Sequence, residues 1–145
     1  MTVTLQKITR DNWEECIDLQ VGKSQKGFIA SNLYSIAEVQ FLPNFEAFAI
    51  YADIIMVGFT MFGLDEDDNN YWIYRIMIDE KYQGKGYGTK ALLNVIDYIK
   101  AKPDAKEIII GYNPENIEAE RTYIRAGFQP KAIAPWGEKL VSLKL

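Results

Sequence analysis

Hydrophobic positions along the chain follow two periods, and each change of period marks a new element. From Thr2 to Ile8, Val3 and Leu5 alternate with polar residues, the pattern of a half-buried strand. Trp13, Cys16 and Ile17 then fall at i, i+3 and i+4, one face of a helix for which Thr9 or Asp11 offers an N-cap and Gly22 a stop. Gly27 to Phe41 predicts one or two short helices. Ser35 and Glu38 stand three apart in the manner of a capping box, Ile36, Ala37, Val39 and Phe41 surround them, and Pro43 ends the segment. At Ala47 the period drops to two. Ala47–Ala52 and Ile54–Phe62 are apolar runs that meet at Ala52-Asp53, which predicts a tight antiparallel hairpin. Gly58, inside the second run, predicts a bulge or a close approach of another backbone.

The central run, Trp72–Ile78, alternates bulky side chains as a buried strand does and leads into Gly84, Gly86 and Gly88, glycines at alternate positions before a helix. Leu92, Val95, Ile96 and Ile99 carry the apolar face of that helix, which ends near Lys102-Pro103. Lys106–Tyr112 (KEIIIGY) is a continuous apolar run, expected of a strand buried on both faces and parallel to the one before the turn. Strand, turn, helix and strand thus predict one right-handed βαβ crossover. Asn113-Pro114-Glu115-Asn116 turns into a further helix, with asparagine as cap and proline in the first turn. It passes through Ala119 and Tyr123 and stops at Gly127, placed for a left-handed C-terminal cap. Gly127-Phe128 restarts a strand, Pro135-Trp136-Gly137 turns it, and Glu138–Leu145 alternates to the end, a hairpin that completes the sheet.

Composition narrows the chemistry. With 145 residues, 48% of them hydrophobic, the chain is expected to fold as one domain over 1-145 with a full core and no linker. A net charge of −4 argues against a nucleic-acid partner, whose readers present a basic face, and suits a cationic one. No apolar run approaches the roughly 20 residues of a membrane span. The N-terminus MTVTLQKITR lacks a signal-peptide core, so no membrane partner and a cytoplasmic location are expected. Cys16, the single cysteine, sits among apolar residues and is expected as a buried reduced thiol. Histidine is absent, which removes the commonest general base, the Ser-His and Cys-His nucleophile pairs and most zinc sites. No metal is expected, and the chemistry falls to carboxylates, tyrosines, backbone amides and water.

Two stretches carry that chemistry. The loop Asp65-Glu66-Asp67-Asp68-Asn69-Asn70 has four carboxylates in succession. It reads either as a solvated hairpin tip or as a cation-recruiting rim whose internal repulsion a polycation would relieve; the spacing of a calcium loop is missing. The glycine turn has the outline of an anion site, with amides that lack intrahelical partners at the positive end of a helix dipole and no side chain in the way. It reads also as a tight turn with no ligand. Gln83-Gly84-Lys85-Gly86-Tyr87-Gly88 matches neither the Walker loop nor the dinucleotide fingerprint. It fits Gln/Arg-x-x-Gly-x-Gly/Ala, and so resembles the turn with which the Gcn5-related N-acetyltransferase (GNAT) family holds the pyrophosphate of acetyl-coenzyme A. Asn116-x-x-Ala119-x-x-x-Tyr123-x-x-x-Gly127-Phe128 resembles a second motif of that family, in the required order and separation.

The resemblance covers nearly the whole chain and implies a mixed α+β fold. The sheet is then mostly antiparallel, of about seven strands with about four helices, its central parallel strands splayed apart. It implies that backbone groups of Ile76, Met77 and Ile78 pair with the pantetheine arm as an added strand would. It implies that the stretch after Gln83, from Gly84 through Lys85, Gly86, Tyr87 and Gly88 to Thr89, binds the pyrophosphate, with Lys85 adding charge at the rim, and that Asn116 contacts the cofactor. Tyr123, which on its helix alone reads as a core aromatic, is then the general acid, since a phenol of pKa about 10 keeps its proton at pH 7. The acceptor amine must lose a proton, and without histidine a carboxylate takes it, directly or through water, in a ternary complex with no acyl-enzyme.

Within the family, GFTMFG, the acidic loop, IDEKYQGKGYG and NIEAERTYIRAGF resemble the spermidine/spermine (diamine) acetyltransferases. This implies a small polycationic amine as acceptor, bound by the Asp67 region and by Tyr74. Tyr74 departs from that pattern, which has a carboxylate there, so the expected base becomes Glu66, Asp67 or a water chain, with Tyr74 orienting the amine. The alternatives are another acceptor (a protein N-terminus or lysine, an aminoglycoside, an amino acid) and a non-catalytic acyl-CoA sensor on the same fold. The resemblance also makes a homodimer an expectation.

Overall fold

The most continuously apolar runs take the middle of the sheet, where both faces are covered. β3 (Ile55–Leu64), β4 (Tyr71–Ile78) and β5 (Glu107–Tyr112) form this centre, and Ile108, Ile109 and Ile110 of β5 are fully buried. The computed structural model describes residues 1–23 and 25–145. Around the centre lie β1 (Val3–Lys7), α1 (Trp13–Asp18), α2 (Asn32–Val39), β2 (Phe45–Ala52), α3 (Tyr87–Lys100), α4 (Ile117–Arg125), β6 (Gln129–Ile133) and β7 (Lys139–Lys144). The strands make one seven-stranded sheet of order β1-β2-β3-β4-β5-β7-β6. Every neighbouring pair is antiparallel except β4–β5, so the expected mixed α+β fold, with seven strands and four helices, is the fold observed.

Helices cover both faces. Leu92, Val95, Ile96 and Ile99 of α3 pack with Ile73, Ile108 and Tyr123 on one side, while Cys16 of α1 and Ile36 and Val39 of α2 pack with Phe59, Met61 and Met77 on the other. Cys16 is a buried free thiol, which burial and then Glu15 push up to about 12. Among the described residues no helix is long and apolar enough to cross a membrane.

Gly58 meets both of its expected reasons. The β2–β3 register shifts between Ile50 and Tyr51 beside it, and a Cβ at Gly58 would lie 2.2 Å from the Met77 carbonyl oxygen. Just past the C-terminus of α4, Gly127 takes φ 102°. Gly127 N–H donates to Ile124 O (3.0 Å) and Phe128 N–H to Tyr123 O (3.1 Å), a Schellman closure that locks the end of the Tyr123 helix.

Helix boundaries differ from the sequence pattern in four places. Asn12, not Thr9 or Asp11, stands at the N-cap of α1 with no side-chain bond into the helix; its Oδ1 accepts from Thr9 N–H (2.7 Å) and its Nδ2 donates to Lys7 O (3.1 Å), which fixes the turn before the helix. α1 ends at Asp18, well before Gly22, because Gln20 N–H donates to Asp79 Oδ2 (2.9 Å) and Gln20 O accepts from Glu80 N–H (2.9 Å). These bonds draw the chain out toward β4. The α2 cap is Ser31, whose Oγ accepts from Tyr34 N–H (3.1 Å), while Ser35 lies buried inside the helix and donates to Ser31 O. Asn116 rather than Asn113 caps α4, accepting from Ala119 N–H (3.3 Å); Asn113 Oδ1 accepts from Glu115 N–H and keeps Pro114 in a separate turn.

Candidate active site

β4 and β5 part company in mid-sheet. They pair only over Tyr71–Ile73 and Ile108–Ile110; beyond that point β5 follows β7 through Gly111 and Tyr112, and β4 follows β3 to Ile78. Asp79 N–H donates to Val57 O (2.8 Å), which sets the alternation along this edge. Met77 therefore turns its peptide groups to β3, whereas Ile76 and Ile78 turn theirs into the gap. Unpaired strand groups facing a gap need a hydrogen-bonding partner. Gln83 Nε2 supplies one, donating to Ile78 O (2.9 Å), and the N–H and C=O of Ile76 face open space.

The gap continues into a cleft of about 650 Å³. Its floor is β4, from Ile73 to Ile78. One end is the glycine turn, from Gln83 to Thr89. Gly86 occupies the N-cap position of the 14-residue α3 with φ 83° and no side-chain cap, and Gly84 has φ 79°. A Cβ at either glycine would meet nothing within 4 Å, so the turn is bare backbone facing space, with the first amides of α3 free for an anion. Tyr87 lines the cleft with its first-turn backbone while its ring joins the core beside Ile78. Lys85 is exposed at the turn and outside the cleft wall.

The opposite wall is α4. Asn116 and Tyr123 both line the cleft, and Asn116, with Oδ1 spent on its own helix, keeps its Nδ2 hydrogens for a ligand. The Tyr123 ring is wedged between Tyr112 (5.5 Å) and Phe128 (6.2 Å). Burial, and to a smaller degree the charge of Glu138, hold its phenol well above the usual tyrosine pKa. It therefore stays a proton donor at all physiological pH.

At the remaining end stands Tyr74. The β3–β4 register slips between Met61/Arg75 and Phe62/Ile73, leaving Tyr74 as the extra residue of a bulge. The bulge puts Tyr74 and its neighbour Arg75 on the same face, under α2. Tyr74 Oη donates to Asp65 Oδ2 (2.7 Å), and its ring packs on Phe45 at 4.4 Å. Arg75 Nη2 pairs with Glu38 Oε1 (3.0 Å), and Nη1 donates to Tyr74 O. Of the four consecutive carboxylates, Asp65 and Asp68 bend back onto β4, the latter accepting from Trp72 Nε1 (2.8 Å). Glu66 and Asp67 are exposed and lie outside the cleft wall.

Sequence pattern marked Asp65 only as one of four loop carboxylates and Glu38 only as a capping residue, and gave Arg75 and Glu138 no place at the site. Arg75 carried a signal, a lone cation within an apolar strand, which asks for a buried partner. Glu38 was masked by its resemblance to a capping residue, and Glu138 reaches the cleft only because the β6–β7 turn folds back, which no local pattern announces.

A model of the acetyltransferase (GNAT) family matches residues 7–128, and the chain belongs to that family. Its class is thereby defined as an acetyl-CoA-dependent N-acetyltransferase. Among proteins of known name, the chain is similar to the spermine/spermidine N(1)-acetyltransferase of Bacillus subtilis (strain 168), 34% identical over 135 residues that cover 89% of each chain. Among solved structures it is similar to aminoglycoside acetyltransferase AAC(6')-Ib in complex with coenzyme A, with a TM-score of 0.81 at 16% identity over 99% of this chain and 95% of that one. It also resembles the PaiA N-acetyltransferase of Thermoplasma acidophilum in complex with coenzyme A, with a TM-score of 0.75 at 17% identity over 100% of both chains. These two share the fold.

Proposed function

We propose that the chain acetylates a primary amine of a polyamine such as spermidine or spermine, in a ternary complex with acetyl-coenzyme A. The observation that carries the reading is the parting of β4 and β5 between a bare glycine turn and the protonated phenol of Tyr123. The site fits the cofactor in kind. The free N–H and C=O of Ile76 and the N–H of Ile78 suit the amides of a pantetheine arm, the first amides of α3 suit a pyrophosphate, and Asn116 Nδ2 and Lys85 serve as further donors. Bound there, acetyl-CoA supplies an activated acetyl group on a thiol leaving group. Tyr123 holds a proton at Oη and releases it to the leaving group as a general acid.

Polyamine preference rests on charge at the Tyr74 end and on the 34%-identical relative. Beyond burial and the Asp65 hydrogen bond, the negative charges of Asp65, Glu38 and Asp67 all act to raise the Tyr74 phenol, against one guanidinium, Arg75. A multiply charged amine is drawn to such a surplus, and the exposed Glu66 and Asp67 extend it outward as a rim. The test is thiol release from acetyl-CoA against spermidine, spermine, putrescine, an aminoglycoside and peptide amines. Polyamines are expected to give the highest kcat/KM, falling with added salt. Turnover confined to peptides or aminoglycosides would overturn the acceptor assignment; tight CoA binding without turnover would make the chain a sensor.

A further inference from the structure

Tyr74 lines the cleft, and the proton of its phenol is already committed. Oη donates to Asp65 Oδ2 at 2.7 Å, and Asp65 is itself fixed. Its other oxygen accepts from Asp67 N–H (2.8 Å), its N–H donates to Asn70 O (2.9 Å), and its carbonyl accepts from Asn69 N–H (2.9 Å). The ring cannot swing away, since Phe45 lies at 4.4 Å and Trp72 at 6.3 Å. Arg75 Nη1 donates to the Tyr74 carbonyl and Nη2 pairs with Glu38, so the guanidinium nearest the Tyr74 ring is neutralised by a carboxylate.

A tyrosine hydroxyl has one proton to give and lone pairs to receive with. Beside a neutral amine, an unconstrained hydroxyl donates to the amine nitrogen and occupies the electron pair needed for attack. A hydroxyl whose proton is held elsewhere can only accept an N–H, which leaves that pair free. We infer that Asp65 is a positioning residue for the acceptor amine: by holding the proton of Tyr74 it makes Tyr74 Oη an obligate acceptor of the amine N–H. Tyr74 is the residue that touches substrate, and Asp65 acts through it. This assignment rests on the amine acetylation proposed above but not on which amine is used.

The test is a double-mutant cycle on the amine that the wild-type enzyme turns over best, with kcat and KM measured separately. Tyr74→Phe removes the acceptor and is expected to raise the amine KM about tenfold with a smaller change in kcat. In Asp65→Ala the hydroxyl is released to donate wrongly, and kcat is expected to fall about tenfold while the acetyl-CoA KM stays within about twofold. The decisive form is Asp65→Ala/Tyr74→Phe, in which kcat is expected to return to the Tyr74→Phe level, a recovery that a merely structural role of Asp65 does not produce. A double variant as slow as or slower than Asp65→Ala overturns the inference. Turnover of some other amine with the recovery intact overturns only the polyamine reading. Polyamine turnover without the recovery overturns only this one, and no turnover of any amine overturns both.

Discussion

Of the five tyrosines along the cleft, three reach it in different hydrogen-bonding states. The hydroxyl of Tyr74 is committed to Asp65 and that of Tyr112 to Glu120, whereas Tyr123 has no hydrogen-bond partner among the described residues. Of these three, Tyr123 alone has a proton free to give. Its removal in Tyr123→Phe is expected to lower kcat about 100-fold while coenzyme A affinity, read by calorimetry, changes less than about twofold. Equal turnover would assign the proton to another donor. The pH profile follows from the direction of its shift. Burial raises the phenol, so the acid form persists past the ordinary tyrosine pKa of about 10, and kcat should show no alkaline fall below that pH. The amine acts in the other sense: its unprotonated fraction grows with pH, so the rate is expected to climb through the alkaline range toward a plateau.

At the scale of elements, the glycine turn and its helix separate conformational need from ligand need. Gly86→Ala forces a side chain into φ 83° and is expected to cost about 1–2 kcal/mol in chemical denaturation, together with several-fold weaker coenzyme A binding. Gly88 sits inside α3, where a Cβ would lie an ordinary 3.6 Å from Ile78 Cγ1, so Gly88→Ala should be neutral or stabilising by up to about 1 kcal/mol. Equal losses at the two positions would contradict this division. The crossover of β4, turn, α3 and β5 was legible in the sequence because each part has its own local signal: a bulky strand, spaced glycines, a 3.6-residue stripe, an isoleucine triplet. So was Asn116, Tyr123 and Gly127, whose spacing is that of one helix and its cap. What escaped was decided at long range. α1 stops at Asp18 because Asp79, some sixty residues on, takes the Gln20 amide, and Asp65 turns inward rather than Glu66 or Asp67 because a β4 bulge brings the Tyr74 hydroxyl to it.

For the molecule as a whole, stability above neutral pH depends on phenols that bind their protons more tightly folded than unfolded. Burial and then the hydrogen bond to Asp104 (2.6 Å) raise Tyr71 to about 12. The hydrogen bond to Glu46 (2.6 Å) and then burial raise Tyr98 to about 12. A raised pKa contributes stability that is whole below about pH 10 and disappears as pH climbs through the folded value, because the unfolded chain gives up these protons first. Thermal midpoints are expected to hold to about pH 10 and then decline, and Tyr71→Phe/Tyr98→Phe should decline less steeply than wild type. An unchanged slope in the double variant would mean that other groups set the alkaline limit.

The break between β4 and β5 has a consequence for how the chain meets other chains. Unpaired strand edges normally lie at the rim of a sheet, where they invite pairing with a second molecule and must be blunted by charge, proline or a bulge. Here one such edge lies at the centre, at Ile76 and Ile78, flanked by α3 and α4. A polypeptide strand, with side chains on alternate faces, has no room to dock against it. A slender extended molecule that carries amide groups and no side branches does. The same opening that serves as a binding groove is thus closed to the aggregation that an open edge would otherwise bring.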